Sequence, residues 1–270
     1  MNAIRILNVA VIGGGAFGEC HLKTWSAMPH VSVAGLYTLE PERGEALCRQ
    51  YGGRNYSSMD ELTGDPAIDV VSIATLEDAH FAVFKVLAEA NKAVYVEKPL
   101  ATSLTEARQM LACSQAHPDL VTQIVPSPFA FFCTDYVRGL IEEGFLGELR
   151  ELVVIGADDG FQDTQAPLHW RQNREISGFN VLAMGILHEA ALRWTPDPTR
   201  VFAQMTTFGP NRPDGPATIP DSVQVMTEIE GGARGLYHLS GIGLFGPGYH
   251  LHLYGSEGTI RVDLGGGTLM

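Results

Sequence analysis

The sequence predicts an α/β chain: a doubly wound parallel sheet, followed by an α+β domain with a large, mostly antiparallel open sheet. Three observations predict it. Residues 5–125 alternate apolar strand-like runs with amphipathic helical ones, a pattern that implies parallel strands covered on both faces. The first strand-like run ends in a cluster of glycines. After Val125 the alternation stops, and strand-like runs follow one another with turn signals between them. A length of 270 residues suits one large domain or two ordinary ones. The change of pattern predicts domains at 1–125 and 126–270.

In the first part the expected strands are Ile6–Ile12, Val31–Tyr37, Val70–Ala74, Ala93–Glu97 and Leu120–Val125. The expected helices are Ala16–Ala27, Pro41–Tyr51, Asp78–Ala90 and Ser103–His117. Pro41 suits a first helical turn, and Ser103-Leu104-Thr105-Glu106 has the spacing of a capping box. In the second part, Pro126 and Pro128 precede a helix at Thr134–Glu143 and a strand at Glu148–Ala157. A helix at Asn180–Trp194 comes next. Strands at Val201–Phe208, Ser222–Glu230, Ala233–Ser240, Tyr249–Tyr254 and Thr259–Val262 complete the chain, with Gly231-Gly232 as a hairpin signal.

Gly13, Gly15 and Gly18 form G-x-G-x-x-G after an apolar strand and at the start of a helix, within a βαβ unit. In that context the first glycine makes a tight turn, the second admits a pyrophosphate and the third lets the helix pack on the strand. The helix start at Ala16 and Phe17 then points free N–H groups at the phosphates. About 20 residues on, where a carboxylate would bind the ribose of NAD, stands Thr38. Thr38 does not repel a 2′-phosphate and Arg43 is one helical turn away, but Leu39 and Glu40 offer it nothing. NAD and NADP both stay open, with a lean to NADP. Glu97-Lys98-Pro99 closes a buried parallel strand, at the sheet edge where ligands sit. The Lys98 ammonium there can hydrogen-bond a substrate oxygen and exchange its proton, or it forms a surface ion pair with Glu97.

Composition narrows the partners. Acidic residues outnumber basic ones 31 to 18, giving a net charge of −13, which disfavours nucleic acid and anionic membrane surfaces. No apolar stretch has the length of a membrane helix, and Met1–Arg5 leads into a strand without a secretory leader. Cys20, Cys48, Cys113 and Cys133 show no metal-ligand spacing, so reduced thiols, a cytoplasmic location and no metal are expected.

Taken together, Gly13, Gly15 and Gly18, Ala74-Thr75 with His80, Glu97-Lys98-Pro99, Gly144 with Gly147, Trp170-Arg171, and Gly255 with Gly258 fall in one order. In that order the chain resembles the Gfo/Idh/MocA oxidoreductases, relatives of glucose–fructose oxidoreductase and inositol dehydrogenase, from residue 6 to about 263. The resemblance implies a Rossmann domain and an α/β domain whose open sheet mediates homodimers or homotetramers. It implies hydride transfer between nicotinamide and a hydroxyl-bearing carbon of a sugar, cyclitol or similar polyol. By it Lys98 is catalytic, and Thr75, His80, Glu97 and Pro99 border the cofactor.

The chain also departs from the family. The usual Asp-x-Gly-x-His, with an Asp three residues later, falls on Ala183, Gly185, Leu187 and Ala190, and none of these side chains carries a proton. His188 is one residue, about 100°, out of phase; it is either catalytic through a local helix shift or a packing histidine. Leu76 replaces a proline. Candidate substrate contacts are Gln123, Trp170, Arg171 and Asn180, with core packing, a salt bridge and an N-cap as the alternatives for the last three. Relatives continue past the Gly255–Gly258 turn, so a compact subfamily or a shortened chain is expected, the latter favouring oligomers. The loss of the helix Asp and His leaves a second expectation, a dinucleotide-binding sensor or partner subunit without turnover.

Overall fold

A computed structural model describes residues 5–270, so Met1 to Ile4, read above as carrying no leader, lie outside the described residues. The chain divides into two compact units, Met1–Pro126 and Ser127–Met270. In the first, the elements run β1 (Leu7–Ile12), α1 (Ala16–Ala27), β2 (Val31–Tyr37), α2 (Pro41–Tyr51), β3 (Arg54–Tyr56), α3 (Met59–Thr63), β4 (Val70–Ile73), α4 (Glu77–Glu89), β5 (Ala93–Val96), α5 (Leu104–Ala116) and β6 (Thr122–Ile124). The six strands pair in the order β3-β2-β1-β4-β5-β6, all parallel. Strand alternation sends Ala10 and Ile12 into one core with Val71, Ile73, Val94 and Phe84, and Val11 into another with Leu22, Leu36 and Leu47. A strand buried on both faces needs such an unbroken apolar run, and LNVAVI supplies most of one.

The strand order reverses between β1 and β4, the switch point where ligands bind in open α/β sheets. Ile12 is level with Ile73, and Ile73 with Val96. The residues that leave these strands, Gly13, Ala74 and Glu97, therefore emerge side by side.

β3 and α3 were not foreseen. β3 has only three residues, too few to show a period. α3 did carry a signal, Ser58-Met59-Asp60-Glu61: Ser58 Oγ accepts from the Glu61 N–H at 3.1 Å, and the Glu61 carboxylate accepts from the Ser57 N–H.

The second unit holds α6 (Thr134–Glu142), β7 (Leu149–Ala157), α7 (Arg174–Ser177), α8 (Met184–Leu192), β8 (Pro198–Thr206), β9 (Asn211–Arg212), β10 (Gly215–Pro216), β11 (Ser222–Ile229), β12 (Arg234–Ser240), β13 (Gly248–Gly255), β14 (Thr259–Asp263) and β15 (Thr268–Leu269). Its sheet runs β15-β14-β13-β7-β12-β11-β8, with β7 and β12 parallel and the other pairs antiparallel. Gly231 and Gly232, at φ 90° and 97°, make the β11–β12 turn. One face of the sheet packs Leu152, Val154, Tyr237, Leu239, Leu251 and Leu253 against Val137 of α6 and Leu187 and Ala191 of α8. The other face leaves Phe202, Met226 and Leu236 exposed in one row, since Phe202 pairs with Met226 and Met226 with Leu236.

The helix expected from Asn180 starts only at Met184. Leu182 lies at φ 52°, a left-handed conformation through which a right-handed helix does not propagate. Among the described residues no helix is long and apolar enough to cross a membrane.

Candidate functional site

The three glycines of the first βα turn each meet a different constraint. Gly13 has φ 109°, and a Cβ there would lie 2.5 Å from the Ala74 carbonyl oxygen. At Gly18 a Cβ would lie 1.9 Å from the Gly13 carbonyl oxygen, so only glycine lets α1 approach β1 this closely. At Gly15 a Cβ would meet nothing within 4 Å. Gly15 is also the N-cap of α1, and no side chain caps the N–H groups that follow at Ala16 and Phe17. Two glycines are thus required by the fold, and the third keeps space open before free backbone donors. A diphosphate fits this cradle.

At the end of β2, Thr38 packs against Gly14, where a Cβ would meet its Oγ1 at 2.8 Å. The Arg43 guanidinium lies at the same loop, its Nε 3.4 Å from the Gly14 carbonyl oxygen. It is ion-paired to Glu19 of α1, which also accepts the Tyr51 hydroxyl. Leu39 is exposed.

Lys98 follows β5 directly. Its side chain is only 14% exposed, its Nζ lies 3.7 Å from Glu97 Oε2 and 4.8 Å from the centre of the Phe17 ring. The second residue of α1 and the exit of β5 therefore meet at the ammonium. Glu97 is buried and doubly held: Oε1 accepts from His21 Nε2 at 2.8 Å, and Oε2 accepts from the Lys98 backbone N–H at 3.0 Å. Burial pushes the Glu97 carboxyl up, but the His21 hydrogen bond, the Lys98 charge and the Lys98 N–H outweigh it and hold it below the usual carboxylate range. Glu97 is thus an anion beside a largely shielded ammonium. The arrangement can present N–H donors to a substrate oxygen and exchange a proton with it.

His80 is fully buried and works through the loops around it. Its Nε2 faces the Thr75 carbonyl oxygen at 3.1 Å, and its Nδ1 faces those of Pro99 and Leu100 at 3.0 and 3.2 Å. The ring ties the loop after β4 to the loop after β5. Burial lowers its pKa, against the pull of those carbonyls and of Glu97. Ala74 is buried beside Gly13, and Thr75, half-buried, turns its hydroxyl to the Leu76 carbonyl at 3.2 Å. Gln123 is exposed on the edge strand β6.

In the second unit the expected contacts separate into two places. Trp170 and Arg171 form a single 3-10 turn, with the guanidinium 4.5 Å from the Trp170 ring and the His169 ring tilted against that same ring at 5.4 Å. Asn180 and His188 instead line one cavity of about 310 Å³ with Phe179, Met184, Val201 and Tyr237. Burial pushes the Tyr237 hydroxyl up to about 12, so the phenol stays protonated, and it hydrogen-bonds with His188 Nδ1 at 2.9 Å. His188 itself is lowered by burial, partly offset by Asp197. Leu187 is fully buried against Gly156, and Ala190 is fully buried as well, so the positions in phase with the family's His and second Asp belong to the core. Asn180 does not cap α8; Ala183 occupies that position.

Two family models match the chain. "Oxidoreductase family, NAD-binding Rossmann fold" covers residues 7–124, and "GFO/IDH/MocA C-terminal domain" covers residues 134–261. The chain belongs to the GFO/IDH/MocA family. Levoglucosan dehydrogenase of Pseudarthrobacter phenanthrenivorans is 27% identical over 258 residues, 85% of this chain and 66% of that protein. 2,7-Anhydro-N-acetylneuraminate hydratase of Escherichia coli is 31% identical over 175 residues, 64% of this chain and 45% of that protein. The match thus spans two thirds or less of these curated relatives. A solved levoglucosan dehydrogenase in complex with NADH and levoglucosan superposes with a TM-score of 0.84 at 27% identity, covering 95% of this chain and 73% of that one. The order of motifs read from the sequence thus leads to the right family and to an NAD-binding Rossmann fold.

Within this GFO/IDH/MocA chain, sequence reading missed His21 and Ser72. Ser72 Oγ lies 2.6 Å from His21 Nδ1, so a buried line runs Ser72, His21, Glu97, with Lys98 at its end. The signal for His21 was its place three residues after Gly18: one helical turn on, it shares the face of α1 that packs on the sheet. Ser72 is a single polar residue in an apolar central strand, and nothing in the sequence marks its partner.

Proposed function

We propose that this chain is an NAD-dependent oxidoreductase that transfers hydride between nicotinamide and a hydroxyl-bearing carbon of a sugar, cyclitol or related polyol. The observation that carries the reading is the Lys98 ammonium at the exit of β5, compensated by Glu97 and resting on Phe17 of the glycine cradle. The first unit binds the dinucleotide, with Gly15, Ala16 and Phe17 at the diphosphate and Thr38 and Arg43 toward the ribose. The second holds the substrate, through Asn180, His188 or the Trp170–Arg171 turn. When bound, the nicotinamide supplies the hydride acceptor. In the reducing direction the Lys98 ammonium hydrogen-bonds the substrate carbonyl oxygen and gives it a proton as the alcohol forms, leaving the neutral amine; in the oxidising direction the neutral amine takes up the hydroxyl proton as the alcohol becomes a carbonyl. The relatives named for levoglucosan and anhydro-sugar substrates support a compact polyol-like substrate.

NAD is favoured over NADP on charge. Arg43, the cation the lean to NADP relied on, is already paired with Glu19, and Leu39 and Glu40 bring no positive charge. The test is turnover of NAD and NADP with a panel of cyclitols, anhydrosugars and aldoses, read as nicotinamide absorbance. Reduction of NAD by at least one polyol is expected, with kcat/KM about tenfold or more above that with NADP. Tight NAD binding without any reduction favours the second reading, a sensor or partner subunit, for which Ala183, Leu187 and Ala190 speak. The exposed row Phe202, Met226 and Leu236 supports self-association through the open sheet face.

A further inference from the structure

Lys98 is placed unusually for a lysine next to a carboxylate. Its Nζ stands 3.7 Å from Glu97 Oε2, inside ion-pair range but too far for a hydrogen bond. The carboxylate does not close that gap because both of its oxygens are engaged elsewhere. Oε2 accepts from the Lys98 backbone N–H, and Oε1 accepts from His21 Nε2. His21 is in turn anchored at Nδ1 by Ser72, which is fully buried on the central strand β4. The His21 ring is buried and packed 5.8 Å from the Tyr95 ring, whose other neighbour is Trp25 at 5.7 Å. The groups that face His21 are thus Ser72 from β4, and Tyr95 and Glu97 from β5 and its exit.

We propose that His21 is a positioning residue: it holds Glu97 back so that the Lys98 ammonium is charge-compensated yet keeps its N–H donors for the substrate oxygen. This rests on Lys98 acting in turnover, as argued above. The physical logic is a competition for one carboxylate. Freed from His21, Oε1 has no partner in a buried site, and the Lys98 ammonium already lies within ion-pair range of the same carboxylate. The lysine then closes onto Glu97, as a direct charge-assisted hydrogen bond, and withdraws from the substrate. Ser72 fixes the ring from the other side, which makes the distance a property of the sheet and not of a flexible side chain.

The test uses the full chain and four variants. His21→Phe keeps the ring and removes both hydrogen bonds; His21→Gln restores a donor near Nε2; Ser72→Ala removes only the anchor; Lys98→Met removes the amine. Two readouts are taken: steady-state kcat and KM with NAD and the best polyol, and the rate at which an acylating ester labels Lys98 in the free protein, followed by peptide mass spectrometry. His21→Phe is expected to lower kcat by about 100-fold with NAD affinity within about threefold of the parent, and to slow Lys98 labelling several-fold. His21→Gln is expected to recover most of both, and Ser72→Ala to fall between. Wild-type kcat and labelling in His21→Phe would overturn the proposal, as would equal losses in His21→Phe and His21→Gln. If His21→Phe does not fold, Ser72→Ala decides by the same two readouts. Turnover that survives in Lys98→Met would instead sink the role of Lys98, while the labelling comparison among the other variants still decides that of His21.

Discussion

At the residue scale, the glycine cradle separates positions the fold needs from one the ligand needs. Gly18→Ala forces a Cβ onto the Gly13 carbonyl oxygen and should destabilise the protein by about 1–3 kcal/mol or more, seen as a lower urea midpoint. Gly15→Val meets open space at an ordinary φ of −71°. It should leave the midpoint unchanged and weaken NAD binding by tenfold or more; unchanged affinity would mean that no diphosphate lies there. Such roles were legible in the sequence because glycine spacing reports backbone geometry directly. Lys98 was legible because it terminates an apolar strand. His21 and Ser72 were not, because their importance comes from a contact between residues 51 apart, and single-sequence patterns carry no such pairing.

At the element scale, His80 joins the loops that follow β4 and β5, and so bears on where Lys98 sits. Burial lowers its pKa below the ordinary 6.5, so the unfolded chain binds the proton more readily. The stability this contributes is present above about pH 6.5 and is lost as pH falls below it, at up to about 1.4 kcal/mol per pH unit. Urea midpoints at pH 7.5 and 5.5 should therefore differ, and His80→Gln should narrow the difference. An identical pH response in the variant would show that His80 is not held neutral. The helix α8 teaches a different lesson. The helix itself was readable, but its start was not: Leu182 turns left-handed, with its side chain beside Gly241. The left-handed residue sets that boundary, against the local helical pattern.

At the scale of the whole molecule, the alternating first part and strand-rich second part predicted both sheets, because each kind of sheet demands its own apolar period. What the sequence did not show is which face of the second sheet stays uncovered. The row Phe202, Met226 and Leu236 answers that, and a second copy of the chain is the proposed cover. Phe202→Glu with Leu236→Glu should convert an oligomer to a monomer in sedimentation, with the urea midpoint little changed; an unaltered mass would place the interface elsewhere. The central claim remains that one ammonium carries the proton of the reaction, and a direct comparison of Lys98→Met with the parent tests it. A fall in kcat of about 100-fold or more is expected, with NAD affinity within about threefold. Turnover equal to that of the parent would contradict it.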